Sequence, residues 1–181
     1  MSQTPEWEVD AWSLENDFAK IEQQWDYVRE LLEEPALYGL GNPAVSGWSC
    51  GEHAGHITLA SYWIADEIGR NLREPDRNVE GEWAEGARAV LEEGDIPLGA
   101  WTSPAGVHPA GRQREDLLTL VSETQTVWRG MAAKASALAD CPARFPHFAL
   151  GYLTSTEWVR FCAIHTAHHL SIVRKIRARS S

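Results

Sequence analysis

The chain has 181 residues, 44% of them hydrophobic, which suits one compact domain spanning 1–181 with a sizeable core. A formal net charge of -10 argues against nucleic acid as a partner, because phosphate binding asks for a basic stripe, and no run of about 18 apolar residues is present to span a membrane. The acidic opening lacks the apolar run of a signal peptide, and the three cysteines (Cys50, Cys141, Cys162) are widely spaced with no C-x-x-C, so a reducing cytoplasm is expected rather than a disulfide framework.

Four long helical patterns stand out in chain order. The first covers roughly 13 to 34, where Phe18, Ile21, Trp25, Val28 and Leu32 recur at spacings of three and four; Pro35 ends it. The second begins at Ser49, where S-C-G-E reads as a capping box with Glu52 three positions on, and runs to about Leu72. A long crossover rich in Gly and Pro follows, with a short helix expected over 82–93; such a connection is a functional lid or a bundle crossover. The third helix is expected over roughly 112 to 139. The fourth opens with a second capping box, Thr154 to Glu157, and runs to about Ile176, where Arg174, Lys175 and Arg177 complement the helix dipole. With four amphipathic helices and no convincing strand pattern, the expected class is all-α, a four-helix bundle with a long crossover between helices two and three.

Three of the seven histidines fall in I-H-T-A-H-H-L, residues 164–170. At about 100° per residue, Trp158, Cys162, His165, His169, Ile172 and Ile176 share one stripe of the fourth helix, and its apolar members make it the core-facing one. His165 and His169 are thus inward neighbours one turn apart, the spacing by which a helix gives two imidazoles to one metal ion. On the second helix His56 shares a face with Leu59, Ala60 and Trp63 and offers a third imidazole. The blander alternative, hydrogen-bonded core histidines, stands beside the metal reading at this point. His168 projects to the side, either supporting the ligand histidines or lying at the bundle's edge. His53 lies about 60° off the His56 line, near enough to support a ligand or contact a substrate. Glu52 is either a carboxylate orienting His56 or the cap of its helix; Cys162 is either a small core residue or a further ligand; His108 and His147 fall in loops, as substrate contacts or exposed groups.

W-S-C-G-E-H-A-G-H-I-T-L-A (48–60) together with H-T-A-H-H-L-S-I-V (165–173) resembles the DinB/YfiT-like superfamily of metal-dependent proteins, whose members carry W-S-x-x-E-x-x-x-H on the second helix and H-x-x-H-H on the last. The stretch 145–169 is similar to one functionally obscure branch of it, although the branch's His-Pro pair appears here reversed, as Pro146-His147, and Gly151 comes one residue late. The resemblance implies an up-down-down-up bundle, dimeric in many members, with a divalent metal held by His56, His165 and His169. Three imidazoles suit zinc or nickel, with iron admissible. It also implies a small-molecule substrate and, from the superfamily's enzymes, a low-molecular-weight thiol as cofactor in an S-transfer to an electrophile. A metal-activated hydrolase and a non-enzymatic, stress-associated ligand-binding bundle are the alternatives.

Overall fold

The structure is a computed structural model, and it describes Val9, residues 11–99 and residues 101–180. It is built mainly from helices. α1 (Leu14–Glu33) starts where the Ser13 side chain accepts the Asn16 N–H, and it buries Phe18, Ile21, Trp25, Val28 and Leu32, the stripe its periodicity predicts. Pro35 does end α1, but it also opens a one-turn helix, α2 (Pro35–Tyr38), because its missing N–H costs nothing at a first helical position.

α3 (Cys50–Arg73) begins at the expected capping box. The Ser49 hydroxyl accepts the Glu52 N–H at 3.2 Å and the Glu52 carboxylate accepts the Ser49 N–H at 2.8 Å. In the crossover the expected helix shrinks to α4 (Ala87–Glu93), bounded by Gly86 and Gly94, both at positive φ. A 3-10 turn over Ala105–Val107 lies further along. The third expected helix is divided into α5 (Arg114–Ala132) and α6 (Ala135–Ala139). The Ala-rich sequence favours a continuous helix, yet Lys134 leaves helical geometry (φ -111°, ψ 20°), and the turn lets both Met131 and Leu138 be buried.

The expectation of no strands is corrected. β1 (Arg144–His147) and β2 (Gly151–Thr154) form an antiparallel hairpin, pairing Arg144 with Thr154 and His147 with Gly151. The hairpin is docked on the crossover: Ala84 N–H donates to Leu150 O and Tyr152 N–H to Glu82 O, both at 2.8 Å. Gly151 is required there, because its φ is +77° and a Cβ would sit 2.4 Å from Ala84 N and 2.5 Å from Glu82 O. α7 (Ser155–Ser180) follows directly, with Thr154 and Glu157 exchanging hydrogen bonds as expected. The four long helices α1, α3, α5 and α7 pack on one another, α3 against α7 and α1 against α5 and α7. A buried ion pair, Arg160 to Asp17 at 2.8 Å, ties α7 to α1, and the Phe145 and Trp158 rings stack at 4.2 Å to tie the hairpin to α7.

Candidate metal centre

α3 and α7 lie side by side, and their inward histidines meet. His56 Nε2 is 3.0 Å from His165 Nε2, which is 3.2 Å from His169 Nε2. One ring nitrogen from each of the three lies within 4.8 Å of the others. Zinc–imidazole bonds of about 2.0–2.1 Å at a tetrahedral angle place two nitrogens roughly 3.3 Å apart, so the spacing admits one ion of that size.

The far nitrogens of these rings fix where their protons sit. His56 Nδ1 is 2.9 Å from the Val107 carbonyl oxygen, so Nδ1–H donates and Nε2 carries the lone pair. His169 Nδ1 is 3.0 Å from His53 Nδ1, and His53 Nε2 is 3.0 Å from the Ser46 hydroxyl. The chain can run either way; in the direction that suits a cation, His169 Nδ1–H donates to His53 and His53 Nε2–H donates to Ser46, which leaves His169 Nε2 as a second lone pair. His165 has no such support. Its Nδ1 is buried without a hydrogen-bond partner, and its Nε2 faces both other rings. A single hydrogen on His165 Nε2 can serve only one of those two neighbours.

Burial pulls the His53 and His56 imidazoles down from their ordinary 6.5 to about 4, and it holds His165 and His169 well below 6.5, with the neighbouring imidazoles adding to the effect. The cluster is therefore a set of neutral imidazoles near pH 7.

These rings line a cavity of about 860 Å³, and all seven histidines of the chain reach it. Among the described residues no Asp, Glu, Lys or Arg lines it. Trp48, which precedes the α3 cap, lies over the cluster, near-parallel to His169 at 6.1 Å and 5.1 Å from His56. The crossover supplies another wall through Trp101, Ser103, Val107 and His108; the His108 ring meets Trp48 at 5.3 Å. The crossover, expected as a lid or a bundle connection, thus forms one boundary of the cavity.

The remaining expected site residues fall in different places. His53 lies directly behind His169, where it contacts the far nitrogen of that ring. His168 sits beside His169, with ring centroids 5.2 Å apart, and hydrogen-bonds the backbone at Ile96. His147 reaches the cavity wall from the hairpin. Glu52 does not orient His56; its carboxylate is occupied at the Ser49 cap, and the Val107 carbonyl takes the orienting position. Cys162 is not brought to the cluster. It is 1% exposed, its Sγ lies 3.4 Å from the Ser61 hydroxyl, and burial pushes the thiol up to about 12, so it is an inert core residue. Ser46 and Val107 were not singled out from sequence; Trp48 entered as the first residue of the W-S-x-x-E-x-x-x-H segment, with no role assigned to it.

A helical fold carrying inward imidazoles from two facing helices, open to one cavity, defines a class of helical proteins suited to binding a metal. Comparison with protein families matches residues 20–173 to the DinB superfamily, and the chain belongs to that superfamily. Comparison with curated proteins and with solved structures gave no match.

Proposed function

We propose that His56, His165 and His169 hold one divalent cation, zinc or nickel ahead of iron, and that the protein is a metal-dependent transferase joining a low-molecular-weight thiol to a small electrophile. In this reading α1, α3, α5 and α7 run up-down-down-up as a bundle, and the crossover walls its site. The observation that carries the metal is the convergence of Nε2 atoms at 3.0 and 3.2 Å, with the His56 Nε2 lone pair fixed by the Val107 carbonyl and that of His169 compatible with the His53–Ser46 chain. Without a cation, neutral imidazoles confront one another in a buried place, an arrangement with a cost of about 1–3 kcal/mol for each polar atom left unmatched.

When bound, the cation supplies Lewis acidity, which lowers the pKa of a coordinated thiol or water toward neutrality. Three neutral ligands leave its full charge in place and at least one coordination position open. His53 keeps the His169 ring in one orientation. Trp48 shields the cluster from water on one side.

The thiol reading follows the resemblance to the superfamily's thiol-using enzymes; among the described residues the cavity offers imidazoles and no carboxylate as general base, so the choice between thiol and water falls to experiment. Cobalt substitution tests the choice. Adding 2-mercaptoethanol to the cobalt protein should produce a near-ultraviolet thiolate-to-metal band. If no such band appears and the visible bands instead titrate near neutral pH, the bound species is hydroxide and the hydrolase alternative stands. A protein that retains no cobalt supports neither, and leaves a metal-free binding pocket.

A further inference from the structure

His147 is the one histidine of the cavity wall supplied by the hairpin, and the metal reading makes no use of it. The hairpin fixes its tautomer. The backbone N–H groups of Ala149 and Leu150 both donate to His147 Nδ1, each at 3.1 Å. A proton on Nδ1 would set one N–H against two others, so the ring carries its proton on Nε2. Among the described residues no acceptor meets that Nε2–H. The ring is held on its apolar sides by Phe148, stacked at 4.5 Å, and by Phe161 at 4.6 Å. Phe161 in turn lies 5.5 Å from the His165 ring, so His147 and the histidine cluster belong to one cavity.

The cavity also limits what fills it. Aromatic rings form much of its wall, and no Asp, Glu, Lys or Arg among the described residues could neutralise a charge there. A charged group would be stranded anywhere except at the metal end.

We propose that His147 is a ligand-positioning residue whose Nε2–H donates to the oxygen acceptor of an uncharged aromatic carbonyl compound in this cavity. The proposal rests on the reading that the cavity is the substrate pocket, and it does not require the metal. The hairpin gives the donor a fixed direction before the ligand arrives, so little ordering is needed on binding.

Two probes of similar outline, acetophenone and ethylbenzene, separate the donor's role from a structural one. They are titrated by ligand-observed NMR into the wild-type protein, with and without a chelator, and into His147→Asn. In His147→Asn the amide oxygen can stand where Nδ1 accepts the two turn N–H groups, while nothing reaches the Nε2 position. Loss of one neutral hydrogen bond should weaken acetophenone about fivefold in His147→Asn, with ethylbenzene changed by less than about twofold. A thermal melt should show the hairpin intact. Acetophenone should keep its affinity when the wild-type protein is titrated with a chelator present, which separates this inference from the metal. Equal weakening of both probes, or of neither, overturns the role of His147. Failure of acetophenone to bind the wild-type protein overturns the inference together with the substrate-pocket reading, whereas the cobalt experiment decides the metal independently.

Discussion

Mild acid should destabilise the metal-free protein at a pH where its carboxylates are still ionised. His53, His56 and His147 are 2%, 4% and 7% exposed, and burial lowers each from 6.5 to about 4. Below 6.5 the unfolded chain takes up a proton at each of these positions, and the folded chain does not until about 4. Stability is therefore undiminished above pH 6.5 and falls as the pH drops from there toward 4. Each group contributes a slope of about 1.4 kcal/mol per pH unit inside that window, so lowering the pH to about 5 costs roughly 2 kcal/mol per histidine and about 6 kcal/mol for the three. That is comparable to the whole stability of an ordinary domain, about 5–15 kcal/mol. His165 and His169, held further down, act in the same direction. The assay is urea unfolding followed by tryptophan fluorescence, with a chelator present, at several pH values between about 7 and 5. A slope corresponding to uptake of fewer than one proton, below about 1.4 kcal/mol per pH unit, would refute the picture of several buried neutral imidazoles.

Three other outcomes are expected. Gly151→Ala forces a Cβ against the backbone of Glu82 and Ala84 at a φ of +77°, and should cost about 2–4 kcal/mol, seen as a lowered Tm in calorimetry; an unchanged Tm would mean the hairpin is not docked on the crossover. Replacing His53 by Ala removes the ring behind His169 and should weaken metal binding about 10- to 100-fold in a competitive chelator titration, with helical content unchanged. All three cysteines are buried, and burial raises the Cys50 and Cys162 thiols, so a chromogenic disulfide reagent should react slowly with the native protein and quickly in urea.

The helices were legible because their signals are local. The apolar stripe of α1 and the capping boxes at Ser49 and Thr154 depend on residues within a turn or two of one another. The hairpin was not legible. Each strand has four residues, Pro146 interrupts the first, and the partner that completes the arrangement is the crossover backbone at Glu82 and Ala84. The division of α5 from α6 was hidden for a related reason: Met-Ala-Ala-Lys-Ala-Ser-Ala contains no breaker, and the demand to bury Leu138 comes from the rest of the fold. The meeting of His56, His165 and His169 followed from helix faces alone. What supports them did not, because His53 acts through the far side of His169, while Val107 and Ser46 contribute from loops whose course no periodicity describes.

The central claim is that three imidazoles from α3 and α7 hold one metal, and metal content tests it most directly. Elemental analysis of the purified protein, beside His169→Ala with its helical circular dichroism unchanged, should find about one divalent metal per chain in the first and little in the second. No metal after reconstitution with zinc or nickel, or the same content in the variant, would contradict the claim and leave the cluster a polar feature of the cavity wall.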